Sequence, residues 1–555
     1  MNVLNPSPLT AANANITIDR QQGKTSWEDA VNRLGKVPEG KWNAAYECID
    51  RHVDDGYGDK TALLYTDGTE EAIYTFEQVK NITDHYARVL KAEGVLPGDR
   101  VFIFLPKSPD CYFAVLAAIK AGAVAGPLFE AFMEEAVKER MHDCEAQYLI
   151  TDEELGKRVP ASELPHLKKT WLIDELQAAT VHENEEEPVV WRGEQDGMLI
   201  HYTSGSTGKP KGVLHAQKVL PHHVISGRWV LDIKEDDVYW CTSHPGWVTG
   251  SVYGVFAPWL NRASVVIHGG RFDAAEWYRL IDRFGVTIWY SAPTAFRMLM
   301  SEGDLHRQYS LKSLRHILSV GEPLNPEVIH WAYREFGVRI HDTWWMTETG
   351  GHLIVNLPSD TIKPGSMGKA FPGIEIGILD ENNEPLPAGR QGKLAVRSPW
   401  PGLMKEIWKN EAKFRSYFTE NGWYLSGDTA LQDEDGYVFF QGRDDDLIKT
   451  AGEQVGPFEV ESKLIEHEAV AEAGVIGKPD EIRGHIIKAF ITLRAGYEER
   501  EGLSEEIRQF VKRNLAAHAA PKEIEIVEEL PKTKISGKIL RRELKRRELE
   551  KEAAT

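Results

Sequence analysis

From about Val101 onward, short runs of apolar and β-branched residues alternate with amphipathic stretches. Arg100–Leu105 reads as a buried strand, Asp110–Ala121 as a helix and Gln147–Ile150 as another strand. The alternation continues through predicted strands at Met198–Tyr202, Ser264–Ile267, Thr287–Tyr290 and His316–Ser319. Helices are predicted over Ala274–Phe284, Pro293–Ser301 and Pro326–Phe336. Strands that alternate with helices in this way predict parallel βαβ units. Beyond Gly350 the texture changes. Lys363-Pro-Gly-Ser-Met-Gly368, Phe371-Pro-Gly373 and Leu386-Pro-Ala-Gly389 punctuate short strands, which suggests antiparallel pairing in a small barrel. A second shift follows Gly442-Arg443. The mixed-charge run from Lys538 to Glu552 predicts a solvated helix.

Composition narrows the function classes. The 555 residues are 42% hydrophobic and 27% charged, enough apolar surface for several cores. With 85 Asp+Glu against 65 Lys+Arg, the formal charge is −20. That balance argues against sequence-independent binding to nucleic acid or an anionic membrane, but permits an anionic small molecule held by a few cations. Cys48, Cys111, Cys144 and Cys241 form no CxxC pair, so reduced core cysteines are expected. His142 and Cys144 alone make a poor zinc site. The apolar stretch Cys111–Ile119 is far shorter than the ~20 residues of a spanning helix. The polar start Met1–Arg20 carries no evident signal peptide, so a cytoplasmic location is expected.

The most informative segment is Thr203-Ser-Gly-Ser-Thr-Gly-Lys-Pro-Lys-Gly212, directly after a predicted strand. Glycines let the backbone turn its N–H groups inward, while hydroxyls and lysines add donors and charge, as a polyphosphate requires. It is not the nucleotide loop G-x-x-x-x-G-K-[ST]: the glycine spacing differs, and Pro210 is a poor helix entry. Ser206-Thr-Gly-Lys209 fits the S-x-x-K serine-nucleophile motif, but its S-D-N and K-T-G partners are absent.

From Trp42 to Arg542 the sequence resembles the acyl-adenylate-forming superfamily and, within it, the acetyl-CoA synthetases. Six motifs in order carry the likeness: Thr203–Gly212, Val320-Gly-Glu-Pro323, Asp342-Thr-Trp-Trp-Met-Thr-Glu-Thr-Gly350, Tyr424-Leu-Ser-Gly-Asp428, Gly442-Arg443 and Ser536-Gly-Lys538. The expected fold is α/β. A large N-terminal domain, 1–444, has two βαβ-type layered subdomains and a small β-barrel; a small mobile α+β C-terminal domain, 445–555, carries the catalytic lysine.

The resemblance implies two steps, from acetate and ATP to an acetyl-adenylate, then displacement of AMP by coenzyme A. The phosphate loop would be Thr203, Ser204, Gly205, Ser206, Thr207 and Gly208, with Lys211. Gly321, Glu322 and Pro323, together with Asp342, Thr343 and Trp344, would frame adenine, and Met346 follows them. Asp428 would accept from the ribose hydroxyls and Arg443 would contact ribose or phosphate. Thr347 would sit at the α-phosphate and Glu348 would help hold Mg²⁺, a hard cation. Lys538 would offset the charge that builds as two anions approach.

For the acid, the resemblance implies a pocket of Trp247, Val248, Thr249, Val320 and Trp345. Trp345 fills the space that a longer chain would need. For coenzyme A it implies Thr249, Ala451 and Gly452, with Lys512 a candidate for the 3′-phosphate. Asp445 would be the pivot of the small domain. A Mg²⁺ is expected at the carbonyls of Ile465 and Val470 with His467. Gln454, Ile535 and Met346 depart from the usual pattern: Gln454 stands where an Arg would touch phosphate. Alternatives are a propionate or other short-acid ligase and, in a different class, a non-catalytic nucleotide-binding regulator. Only small-molecule substrates are expected as partners, apart from an acetyltransferase and deacetylase that would switch Lys538 by removing its charge.

Overall fold

A helix that is apolar on every side must be covered on every side. Pro109–Lys120 is such a helix: all its residues except Asp110 are buried. Ser108 caps it through the Cys111 N–H, and Pro109 opens it. It packs beside Phe76–Ala92, in one cluster with Val101 and Ile103 from one sheet and Leu63, Val265 and Ile267 from another. The helix layer is therefore sandwiched between two sheets. A computed structural model describes residues 3–35, 40–180, 187–204, 210–443, 446–450, 453–480, 484–494, 496–532 and 539–554.

Among these described residues, one sheet has seven strands. Val124–Pro127, Arg100–Phe104, Tyr148–Thr151 and Lys169–Leu172 run parallel within it, and Gly197–Ser204 continues the parallel run. The other has nine. Its parallel centre, in spatial order, is Ile340–Trp344, His316–Ser319, Ile288–Ser291, Val238–Cys241, Ser264–His268 and Thr61–Thr66. Their buried, β-branched and aromatic character fits strands covered on both faces. The expected barrel is instead an open four-stranded antiparallel sheet of Ile376–Leu379, Gln391–Arg397, Trp423–Gln432 and Val438–Arg443. Short strands between turns carry no closure signal, and no barrel forms among the described residues.

The C-terminal part is an α+β unit. Val470–Asp480 pairs with Gly484–Leu493, which also pairs with Glu523–Ile526; the helices Pro457–Ile465 and Leu503–Asn514 cover the sheet. The tail is a helix, Arg541–Ala554, but not a wholly solvated one. Leu544 and Glu548 are buried; Leu544 lies over Gly474, and Glu548 takes Lys488 at 2.7 Å and Lys478 at 3.1 Å. All four cysteines are free and buried. No helix among the described residues is long and apolar enough to cross a membrane.

Charge enters the central layer at Lys120. The Lys120 ammonium, fully buried, lies 2.6 Å from Asp84 and 2.8 Å from Asp50, with the Thr83 hydroxyl at 2.9 Å. Burial pushes the Asp50 carboxyl up despite Lys120. Burial acts on Asp84 too, but Lys120 and Lys80 outweigh it and hold its pKa below the ordinary value. Removing one member of such a group leaves uncompensated buried charge, at a cost of ~3–5 kcal/mol. Lys120→Met is expected to lose stability on that scale in urea unfolding at pH 7. The deficit should shrink at pH 5, where the abandoned carboxylates take up protons; an unchanged midpoint would contradict this role.

Candidate active site

In a parallel α/β sheet, ligands bind beyond the carboxyl ends of the strands. Three parallel strands of the nine-stranded sheet end here in the motif segments: Val238–Cys241 before Thr242–Thr249, His316–Ser319 before Val320–Pro323, and Ile340–Trp344 before Trp345–Gly350. From the other sheet, Gly197–Ser204 and Pro210–Ala216 form a hairpin with Thr203 opposite Lys211. Pro210 opens a strand, as its failure to suit a helix entry predicts. The hairpin therefore brings Lys211 to the segment that follows Trp344.

That segment works as a short ruler. Trp344 donates through Nε1 to Asp428 Oδ2 at 2.9 Å, and Arg443 lies 3.2 Å from Oδ1 of the same carboxylate. Asp428 and Arg443 are register partners in the four-stranded sheet. Trp345 turns the other way, into an apolar cluster with Val320, beside Val248. Its ring meets Tyr253 edge-on at 5.0 Å, and Tyr253 stacks on His352 at 3.9 Å. Glu348 is buried and pairs with Lys211 at 2.6 Å; Tyr417 also bonds its Oε1 at 3.3 Å. Burial opposes the Lys211 charge, but Glu348 more than offsets it and raises the Lys211 pKa. Met346 receives the Tyr424 hydroxyl at its Sδ, 3.9 Å away.

Buried neutral side chains hold the backbone of this ruler. His215 bonds the Thr347 carbonyl at 2.7 Å, Trp400 the Thr349 carbonyl at 3.0 Å, His223 the Gly350 carbonyl at 2.8 Å and His222 the His352 carbonyl at 2.9 Å. A carbonyl only accepts, so each imidazole must carry its proton on Nε2. The three Nδ1 atoms are buried with no partner among the described residues. A second proton would thus be a buried, unpaired charge. Burial pushes His215 and His222 down to about 4 and His223 to about 3. Gly350, at φ +68°, has the Gly402 carbonyl where a Cβ would stand, so no side chain fits there.

The segments expected to frame adenine are tied to one another. The Ser319 hydroxyl donates to Asp342 Oδ1 at 2.5 Å, and the Thr343 hydroxyl to the Ser319 carbonyl at 2.7 Å. Burial pushes Asp342 up to about 7, against the pull of Ser319 and the Thr343 backbone. Gly321, at φ +89°, makes the turn before Glu322 and Pro323. Glu322 accepts from the Thr294 hydroxyl at 2.7 Å and Arg297 at 3.0 Å.

The family model for AMP-binding enzymes matches residues 50–408, and the model for the AMP-binding enzyme C-terminal domain matches residues 459–538. The chain belongs to the AMP-binding enzyme family. It is 56% identical over 535 residues to an acetyl-coenzyme A synthetase of Bacillus subtilis, covering 94% of this chain and 93% of the relative. A synthetase of the same name from Rubrobacter xylanophilus is 40% identical, covering 91% and 84%. Among solved structures, an anthranilate–CoA ligase in complex with anthranoyl-AMP matches with a TM-score of 0.85 at 31% identity, covering 95% and 100%. An acyl-CoA synthetase of Brucella canis matches at 0.73 and 33%, covering 96% and 99%.

In this AMP-binding enzyme the expected site residues divide into three groups. Lys211, Val320, Trp344, Trp345, Met346, Glu348, Asp428 and Arg443 meet along the ruler as above, and Thr347 lies on it. The Thr203 hydroxyl is buried without a partner among the described residues. Gly205, Ser206, Thr207, Gly208, Asp445, Ala451, Gly452, Ile535 and Lys538 lie outside the described residues, as do the side chains of Ser204 and Gln454. The boundary expected at 444/445 falls there too.

The third group stands apart. Trp247 joins Phe129 and Phe132 at 5.5 and 6.1 Å rather than the Trp345 cluster, and is 38% exposed. Thr249 is half-buried on the short helix Val248–Ser251, and Lys512 is exposed in the last turn of Leu503–Asn514. Where a metal is expected, at Ile465, His467 and Val470, Arg494 donates to both carbonyls, and His467 Nδ1 accepts from the Ala469 N–H. Sequence reasoning missed the histidine set and Tyr417. It also missed Lys107, which donates to the Cys241 and Thr242 carbonyls at 3.2 and 2.8 Å and which burial lowers to about 8. The one available signal was His222-His223 inside an otherwise apolar helix.

The histidines set a pH dependence. Above the ordinary histidine pKa of about 6.5, folded and unfolded rings are both neutral and stability is complete. As pH falls, unfolded rings take protons while His215, His222 and His223 do not. Stability is then lost between about pH 6.5 and 4, at up to ~1.4 kcal/mol per pH unit for each ring. Urea unfolding at pH 7.5, 6 and 5 should show this decline. His223→Gln, which keeps a donor near Nε2, should lessen it by one ring's share, whereas His223→Leu should cost ~1–3 kcal/mol at every pH through the orphaned Gly350 carbonyl. A flat wild-type profile across the window would contradict the assignment.

Proposed function

We propose that this chain is an AMP-forming acetate–CoA ligase. An acetate oxygen attacks the α-phosphorus of ATP, and the bond to pyrophosphate breaks. The sulfur of coenzyme A then attacks the carbonyl carbon of the acetyl-adenylate, and AMP leaves with the electron pair of the cleaved C–O bond. The observation that carries this reading is the ruler Trp344–Glu348. Within five consecutive positions it joins a carboxylate suited to ribose hydroxyls (Asp428, through Trp344), a small aromatic-walled apolar cluster (Trp345) and a cation-paired carboxylate (Glu348). Nucleotide, acid and phosphate charge would thereby meet at adjoining positions. The identity to acetyl-coenzyme A synthetases supports the same reading.

Asp428 and Arg443 would hold the ribose, with Arg443 turning from its carboxylate partner toward phosphate as the nucleotide arrives. Asp342 and the Val320–Pro323 turn would frame the base. The 203–208 loop and Lys211 would take the phosphates. Glu348 suits a hard cation, because both of its side-chain contacts fall on Oε1 and leave Oε2 among the described residues. Mg²⁺ entering with ATP would be held there and offset phosphate charge. Lys538 would supply the mobile positive charge at the carboxylate–phosphate contact. Rotation about Asp445 would withdraw it and bring Ala451-Gly452 beside the pantetheine. Acetylation of Lys538 would abolish its charge and arrest the first step.

Chain length is set by Trp345, braced edge-on by Tyr253. The expectation is firm for acetate over butyrate, while one methylene is worth only ~1–3 kcal/mol of discrimination against propionate. In an acid panel followed by AMP and thioester release, Trp345→Gly should raise kcat/KM for butyrate at least tenfold and lower it for acetate. An unchanged chain-length order would sink the pocket assignment. Lys538→Ala should lose adenylate formation by a hundredfold or more, yet still convert supplied acetyl-adenylate and coenzyme A to thioester. Equal loss of both half-reactions would contradict its role.

A further inference from the structure

The corner between the helix Pro457–Ile465 and the strand Val470–Asp480 is where a Mg²⁺ is expected from the family resemblance, and its geometry is that of a site already filled. The Ile465 carbonyl belongs to the last turn of a helix, where unsatisfied carbonyls and the helix dipole favour a cation. Arg494 supplies one. Its Nε donates to the Val470 carbonyl at 2.9 Å and its Nη2 to the Ile465 carbonyl at 3.1 Å. Its backbone N–H also donates to the Ala469 carbonyl at 3.0 Å, at the end of the strand Gly484–Leu493. A planar guanidinium presents rigidly spaced donors, so one side chain satisfies two carbonyls that a metal would otherwise bridge.

The remaining donors are spent as well. His467, buried, accepts the Ala469 N–H at Nδ1 at 3.3 Å, which puts the neutral ring's proton on Nε2. Nε2 faces Glu506 at 3.7 Å, and the ring edge packs on Phe510. Nδ1 is thereby engaged by the backbone of the turn itself. The neighbouring carboxylate, Glu466, is paired with Lys463 at 2.7 Å, and Glu468 is exposed. A divalent ion at the corner would lie against a guanidinium of its own sign.

We propose that Arg494 is the resident cation of this corner, and that its guanidinium takes the place of a divalent metal ion in fixing the small domain's helix-to-strand turn. The small domain then holds its shape when Mg²⁺ is scarce. The inference does not rest on the proposed reaction, since it concerns carbonyls apart from the ruler.

The test uses the full-length chain, stripped of metal and free of nucleotide. Mn²⁺ binding followed by electron paramagnetic resonance should show no site in the wild type that His467→Ala removes. The thermal midpoint of the wild type should not move between EDTA and 5 mM Mg²⁺, a concentration on the order of that used in such assays. Arg494→Ala should lower that midpoint and make it respond to Mg²⁺ or guanidinium ion; Arg494→Lys, a point charge without the fork, should fall between. Stoichiometric Mn²⁺ binding to the wild type that His467→Ala abolishes would overturn the proposal. So would an Arg494→Ala midpoint equal to that of the wild type. If Arg494→Ala does not fold, the wild-type Mn²⁺ titration and Arg494→Lys still decide.

Discussion

A loop that carries reactive groups must expose side chains while hiding its own backbone from water, and every buried carbonyl it hides must find a donor. Here the carbonyls of Thr347, Thr349, Gly350 and His352 find His215, Trp400, His223 and His222. The donors come from the hairpin strand Pro210–Ala216, the helix Leu220–Trp229 and the connection between the second and third strands of the four-stranded sheet. Three parts of the fold thus converge on one six-residue stretch, and the order of side chains along it becomes an order in space. Trp344 faces the Asp428 carboxylate, Trp345 an apolar cluster and Glu348 the Lys211 ammonium. Neutral imidazole serves this purpose well. It donates as a lysine would, without bringing a charge that apolar surroundings must bear.

The same economy recurs where charge cannot be avoided. Lys120 sits between Asp50 and Asp84, Lys211 against Glu348, and Arg494 against helix and strand carbonyls. The excess of acid over base in the whole chain, −20, says little about these places. A cleft that handles anions is made by a few placed cations, not by net charge.

Much of the fold was legible because local signals decide local structure. Ala274–Phe284, Pro293–Ser301, His316–Ser319 and Pro326–Phe336 lie at the expected positions, and their ends show why. Asp273 caps the first helix, Gly285 closes it in the left-handed region, and Gly337 does the same for the last. The motifs likewise marked the ruler. What was not legible depends on partners distant in sequence. His215 is 132 positions from Thr347 and His223 is 127 from Gly350, and nothing near either histidine announces a carbonyl. The open sheet read as a barrel, and the docked tail helix read as solvated, for the same reason: strand closure and the contact of Leu544 with Gly474 are tertiary facts. At Ile465 and Val470 the resemblance pointed to a cation at the right corner, but Arg494, in the next strand's end, supplies it from the chain itself.

The central claim is that nucleotide and acid react with each other at the ruler before coenzyme A takes part. Exchange of labelled pyrophosphate into ATP, measured with acetate and Mg²⁺ but without coenzyme A, tests this most directly. The expected result is rapid exchange that requires acetate and disappears when the acid is omitted. Exchange that appears only when coenzyme A is present, or that proceeds without any acid, would contradict it.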